Sequence, residues 1–264
     1  MKYSDWKHYR REDEQNEERI ARKQAGGSSR KTGKAGKEES ADARRSHQNN
    51  QITDLVFVLD RSGSMLPLQD DTIGGFNSML AKQKNLEGQC RVTTVLFDHK
   101  AEFLYNRKPI REVKKLNRET FTIGGMTSLY DAIGMAIERK VFEQRSAPRN
   151  EQADQVMFVI ITDGYENSSQ LFNHQRIRSL IEYERKVYDW EFVFLGANID
   201  AETTAESLGM DRSMAASYTP DAVGTQVNYD AVSVAVSGFR QTGFANPCSL
   251  DAVRHDHHSR KNRS

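Results

Sequence analysis

The run Leu55-Val56-Phe57-Val58-Leu59 offers no polar position to a solvent-facing side. Successive side chains of a strand point to opposite faces, so such a run must be covered on both, as in a parallel sheet flanked by helices. Gln155 to Thr162 and Glu191 to Leu195 repeat the pattern. Between these strands, apolar residues recur at helical spacing: Ile73, Phe76 and Leu80 within Asp70 to Leu86, then Leu129, Ile133, Ile137 and Val141, then His174 to Tyr188. Arg91 to Phe97 and Ala101 to Tyr105, separated by Asp98-His99-Lys100, predict an antiparallel edge hairpin. Asp200 to Leu208 reads as a short helix, Met214 to Tyr218 as a last strand and Thr225 to Phe239 as a closing helix. The alternation predicts an α/β fold: a doubly wound, mainly parallel open sheet with an antiparallel edge strand.

Residues 52–240 hold this pattern. Residues 1–51 are dense in charge, Gly, Ser and Gln, with almost no aliphatic side chains after Ile20, and are expected to be a flexible charged arm. Residues 241–264 return to polar composition and are expected to be a flexible tail. Lys and Arg together number 38 against 37 Asp and Glu, so net charge gives no general reason to expect nucleic acid or a membrane surface as partner. The basic stretch Arg30 to Arg45 can be read as an electrostatic contact with nucleic acid or as a solubilising tail, and the second reading is adopted. Cys90 and Cys248 imply no disulfide framework and are expected to be free thiols. The start of the chain has no apolar core of signal-peptide length, and no later run reaches the roughly 18 apolar residues of a membrane span. A cytoplasmic protein is expected.

Asp60 closes the first buried strand, and open α/β sheets bind ligands at the carboxyl ends of strands beside the switch in strand order. Ser62 and Ser64 follow at alternate positions, so their hydroxyls can share a direction with Asp60, and Gly63 lets the loop bend. Asp163 closes the strand Val156 to Thr162, and Thr127 sits in the loop Gly124-Gly125-Met126-Thr127-Ser128. Oxygen-only donors including two carboxylates suit a hard cation, Mg²⁺ or Mn²⁺, that keeps part of its shell for water or another ligand. Singly, each of these residues is equally readable as a helix cap or turn residue. Glu166, Asn167, Asn198 and Asp200 lie on the same rim and fit either a partner contact or ordinary loop capping. His255, His257 and His258 are compatible with a transition metal or with an incidental His-rich tail. Asp98 and His99 show no partner in the sequence and receive no chemistry.

Taken together, Asp60-Arg61-Ser62-Gly63-Ser64, Thr127 in Gly-Met-Thr-Ser and Asp163-Gly164 resemble the metal-ion-dependent adhesion site of von Willebrand factor A domains. The resemblance covers roughly Ile52 to Arg240. Asp-Arg-Ser-Gly-Ser-Met followed by Asp-Thr-Ile-Gly-Gly-Phe-Asn is similar to small free-standing bacterial cytosolic members. The resemblance implies that Asp60, Ser62, Ser64, Thr127 and Asp163 hold Mg²⁺ or Mn²⁺, and that an Asp or Glu of a partner protein takes the open coordination position. It also implies movement of the loop 163–169 and the helix 225–239 on binding. The function expected is therefore a metal-dependent adaptor, not an enzyme. Magnesium-dependent phosphoryl transfer is the main alternative. It wants a second carboxylate where Ser62 stands, and neither Gly-x-Gly-x-x-Gly nor a P-loop is present to cradle a phosphate. A nucleic-acid-associated adaptor acting through the basic arm is the other.

Overall fold

The computed structural model describes residues 51–261. The expected arm, up to residue 50, lies outside the described residues. The elements are β1 (Ile52–Asp60), α1 (Gln69–Lys84), β2 (Gln89–Phe97), β3 (Ala101–Pro109), α2 (Leu129–Ser146), β4 (Gln155–Thr162), α3 (His174–Tyr188), β5 (Glu191–Gly196), α4 (Ala201–Ser207), β6 (Ala215–Ser217), α5 (Ala222–Thr242) and α6 (Asp251–Lys261). Short 3-10 turns connect several of them, including Gly63–Leu68 and Pro247–Leu250.

The strands form one six-stranded sheet in the order β3-β2-β1-β4-β5-β6. All neighbours are parallel except β2 and β3. The chain winds outward from β1 in one direction and from β4 in the other, so the reversal of strand order falls between these two neighbours, where an α/β sheet opens a crevice. Leu59 pairs with Ile161, which sets Asp60 level with Thr162 and puts Asp163 just beyond.

Every residue of β1 is buried, as its continuous apolar run requires. α1 and α5 pack together over one face of the sheet, where Leu55, Phe57 and Leu59 meet Phe76, Leu80, Val232 and Val236. Phe57 and Phe76 meet edge to face, ring centres 5.4 Å apart. α2 and α3 cover the other face. A buried charge stands just before the run: Asp54 receives Arg91 Nε at 2.6 Å and the Lys140 ammonium, and has Arg107 Nε at 3.7 Å.

Residues 243–261, expected to be a loose tail, are structured. Leu250 and Val253 belong to the main core at 0% and 1% exposure. Arg254 reaches back to the carbonyls of Pro247 (3.2 Å), Ala215 (3.0 Å) and Ser213. Few apolar anchors in a charged stretch, joined by the bonds of Arg254, dock the helix but leave little periodicity to read. Among the described residues no helix is long and apolar enough to cross a membrane.

Candidate metal centre

Asp60 enters the site from the end of β1, where the backbone is still extended. Its Oδ1 accepts the Ser62 amide at 2.7 Å and its Oδ2 the Thr162 hydroxyl at 2.6 Å. Beyond it, Ser62 Oγ and Ser64 Oγ are 3.2 Å apart, and Ser64 Oγ donates to Asp163 Oδ1 at 2.7 Å. Thr162, Asp60, Ser62, Ser64 and Asp163 thus form a continuous hydrogen-bonded chain across the mouth of the crevice. Asp60, Ser62 and Asp163 are buried, whereas Ser64 is exposed and marks the solvent side.

Thr127, also buried, is placed by its backbone: its amide donates to Asn167 Oδ1 at 2.9 Å, and the Asn167 amide returns to the Thr127 carbonyl at 3.0 Å. Its loop joins the first one through Gly63 N to Gly125 O (3.1 Å) and Gly124 N to Arg61 O (3.0 Å). The loop after β4 is tied to α2. Glu166 accepts the amides of Tyr130, Ser168 and Ser169, and Asp131 accepts those of Gln170, Leu171 and Phe172. The rim residues accordingly have local roles. Asn198 Nδ2 supports the Asp163 carbonyl at 3.2 Å, and Asp200 caps α4 through the Thr203 amide at 2.9 Å.

Burial pushes the Asp60 carboxyl up to about 6, against the hydrogen bonds from Thr162 and Ser62 that favour its charged form. Burial likewise raises Asp163. Among the described residues neither carboxylate has a Lys, Arg or His ion-pair partner, and the adjacent Arg61 points to Asp98 and Glu102 instead. Two buried carboxylates faced only by hydroxyls and amides fit a hard divalent cation in donor chemistry. No group of three or more His, Cys, Asp or Glu side chains able to hold a metal ion is found among the described residues.

Sequence reasoning passed over Asp98, Ser128, Thr162 and Asp131. Thr162 was the accessible one, since parallel pairing of two buried strands sets the residue before Asp163 beside Asp60. The others act over 30 or more residues of chain and leave no periodic trace.

Several solved structures are similar to this chain. One is proximal thread matrix protein 1 from the mussel byssus with a zinc-occupied MIDAS motif (15% identity, 74% of this chain and 46% of that one, TM-score 0.48). Another is the von Willebrand factor type A protein from Catenulispora acidiphila (13%, 71% and 43%, TM-score 0.49). A third is the manganese-loaded TRAP protein of Plasmodium vivax (16%, 68% and 72%, TM-score 0.46). The chain spans less than half the length of the first two. A comparison with curated proteins finds no match. The family profile described as von Willebrand factor type A domain matches residues 54–224, from β1 into α5. That span takes in all of the sheet but the first two residues of β1, with all three loops of the crevice, and it makes the chain a member of the von Willebrand factor type A domain family.

Proposed function

We propose that the chain is a divalent-cation-dependent protein-binding module. Asp60, Ser62, Ser64, Thr127 and Asp163 hold Mg²⁺ or Mn²⁺, and a coordination position is left for an Asp or Glu of a partner protein. The observation that carries this reading is the pair of buried carboxylates, Asp60 and Asp163, bridged by serine hydroxyls and lacking any basic partner among the described residues. Burying carboxylates without compensating charge is costly, and a cation at their junction would offset it. When bound, the ion supplies an electrophilic point that attracts a further carboxylate.

The chain's own residues do the rest. Ser62 and Ser64 bring neutral hydroxyl donors, Thr162 and the Ser62 amide orient Asp60, and Asn198 steadies Asp163 from behind. Glu166 and Asp131 anchor the chain from residue 166 onward, so ligand-linked movement of the loop 163–169 would have to break these bonds or stay within residues 163–165. Ser62 also argues for binding over phosphoryl transfer, since a neutral hydroxyl cannot serve as the second carboxylate. The resemblance of Asp-Arg-Ser-Gly-Ser-Met to free-standing bacterial members supports a cytoplasmic adaptor.

Calorimetric titration with Mn²⁺ tests the site: wild type should take up the ion and Asp60→Ala should not. Equal uptake by both proteins would place the metal elsewhere. Capture of a partner in Mg²⁺ and its release by chelator test the second half, and a partner that stays bound after chelation uses another surface.

A further inference from the structure

The β2–β3 hairpin tip, whose Asp98 and His99 show no partner in the sequence, touches both the Ser62–Ser64 loop and the Thr127 loop. Arg61 lies between two of the proposed ligands, and its side chain turns away from them. Arg61 Nε meets Asp98 Oδ2 at 3.0 Å and Nη2 meets Glu102 Oε2 at 2.8 Å, with Arg61 and Asp98 side chains only 10% and 11% exposed. The Arg61 amide donates to the Phe97 carbonyl at 2.7 Å. On its other side Asp98 holds the Thr127 loop: its carbonyl accepts both the Ser128 amide (2.7 Å) and the Ser128 hydroxyl (2.6 Å). Asp98 is itself fixed, since its Oδ1 accepts the Lys100 amide at 2.9 Å. The loop runs so close to the tip that a Cβ on Gly125, where φ is +78°, would lie 2.5 Å from His99 Nδ1.

We infer that Arg61 and Asp98 are positioning residues for the proposed metal site: through them the hairpin tip sets the spacing between the Asp60–Ser64 loop and the Thr127 loop. This rests on the metal-binding reading above. Donors on separate loops bind a small ion well only when their mutual geometry is fixed beforehand, and partners one step behind the ligands do that fixing.

The test uses the full chain and two readouts, Mn²⁺ affinity by calorimetry and the thermal midpoint in chelator. Arg61→Met and Asp98→Asn should each weaken Mn²⁺ about tenfold or more, as loss of a ligand-orienting partner does. The double variant should be no weaker than the worse single one, because both cut the same link. Arg61→Lys keeps the charge without the planar fork and should fall between. A merely structural role would lower the midpoint in chelator and leave the ion affinity of the folded protein unchanged. Should Arg61→Met fail to fold, the nearly isosteric Asp98→Asn carries the test. Affinities within about twofold of wild type in both variants overturn the inference alone. Failure of wild type to take up Mn²⁺ overturns the metal reading and this inference with it.

Discussion

The ring of Tyr229 in α5 lies against Gly75 in α1 so closely that a Cβ at residue 75 would overlap it. Its neighbour Gly74 is exposed and has nothing within 4 Å of that position. The two glycines should therefore answer the same substitution with opposite sign. Gly74→Ala should stabilise by about 0.5–1 kcal/mol, through helix propensity alone. Gly75→Ala should destabilise by about 1–3 kcal/mol, because the buried Tyr229 ring must shift to make room. Urea unfolding midpoints of the two variants decide it, and a stabilised Gly75→Ala would show that the α1–α5 interface yields freely.

Asp54 gathers Arg91, Arg107 and Lys140 at the start of β1, and burial holds the Lys140 ammonium below the ordinary lysine range. Asp54→Asn strands three cations and should cost about 3–5 kcal/mol. Lys140→Met leaves Asp54 its Arg91 partner and should cost less. Chemical denaturation that reverses this order would show that the lysine, not the aspartate, organises the cluster.

Much of the architecture was legible because its strands are buried on both faces. Gln155 to Thr162 and His174 to Tyr188 were read with the boundaries that the structure has. The crevice was legible for a related reason: Asp60 directly follows an apolar run and Asp163 follows one by a single threonine, and these neighbouring parallel strands end at nearly the same level. What escaped was non-local and polar. Nothing near Asp98 announces a bond to Arg61, 37 residues away, and nothing near Asp54 announces Lys140, which lies on a helix whose pattern is otherwise amphipathic. α6 escaped because its apolar anchors are few, Val253 within it and Leu250 just before it, and the rest of its docking is by polar side chains such as Arg254.

Ending the chain after Gly243 should therefore do more than trim a surface. It removes Leu250 and Val253 from the main core, and each fully buried aliphatic side chain contributes about 1.5–3 kcal/mol. A loss of about 2–4 kcal/mol is expected once the ordering of the helix itself is offset. An unchanged thermal midpoint in the shortened chain would show that α6 rests on the domain without supporting it.

The two cysteines should separate cleanly by reactivity. Cys90 is buried, and burial pushes its thiol up to about 12, whereas Cys248 is exposed. A thiol reagent at neutral pH should modify one equivalent quickly and the second only in denaturant, since the thiolate is the reacting form. Peptide mapping that finds Cys90 modified in the folded protein would reveal opening of the start of β2 away from β1.

The lateral margins of the sheet carry a consequence of their own. An unpaired strand margin is a template on which a second chain can add a strand. At one margin, β3 breaks its ladder where Arg107 adopts a φ of +46° and ends at Pro109, which has no amide hydrogen to give. At the other, β6 is only three residues long, and Arg254 of α6 already occupies the carbonyls of Ser213 and Ala215. Growth of the sheet from molecule to molecule is obstructed on both sides, by a broken, proline-ended strand at one margin and by a short strand whose neighbouring carbonyls are already taken at the other.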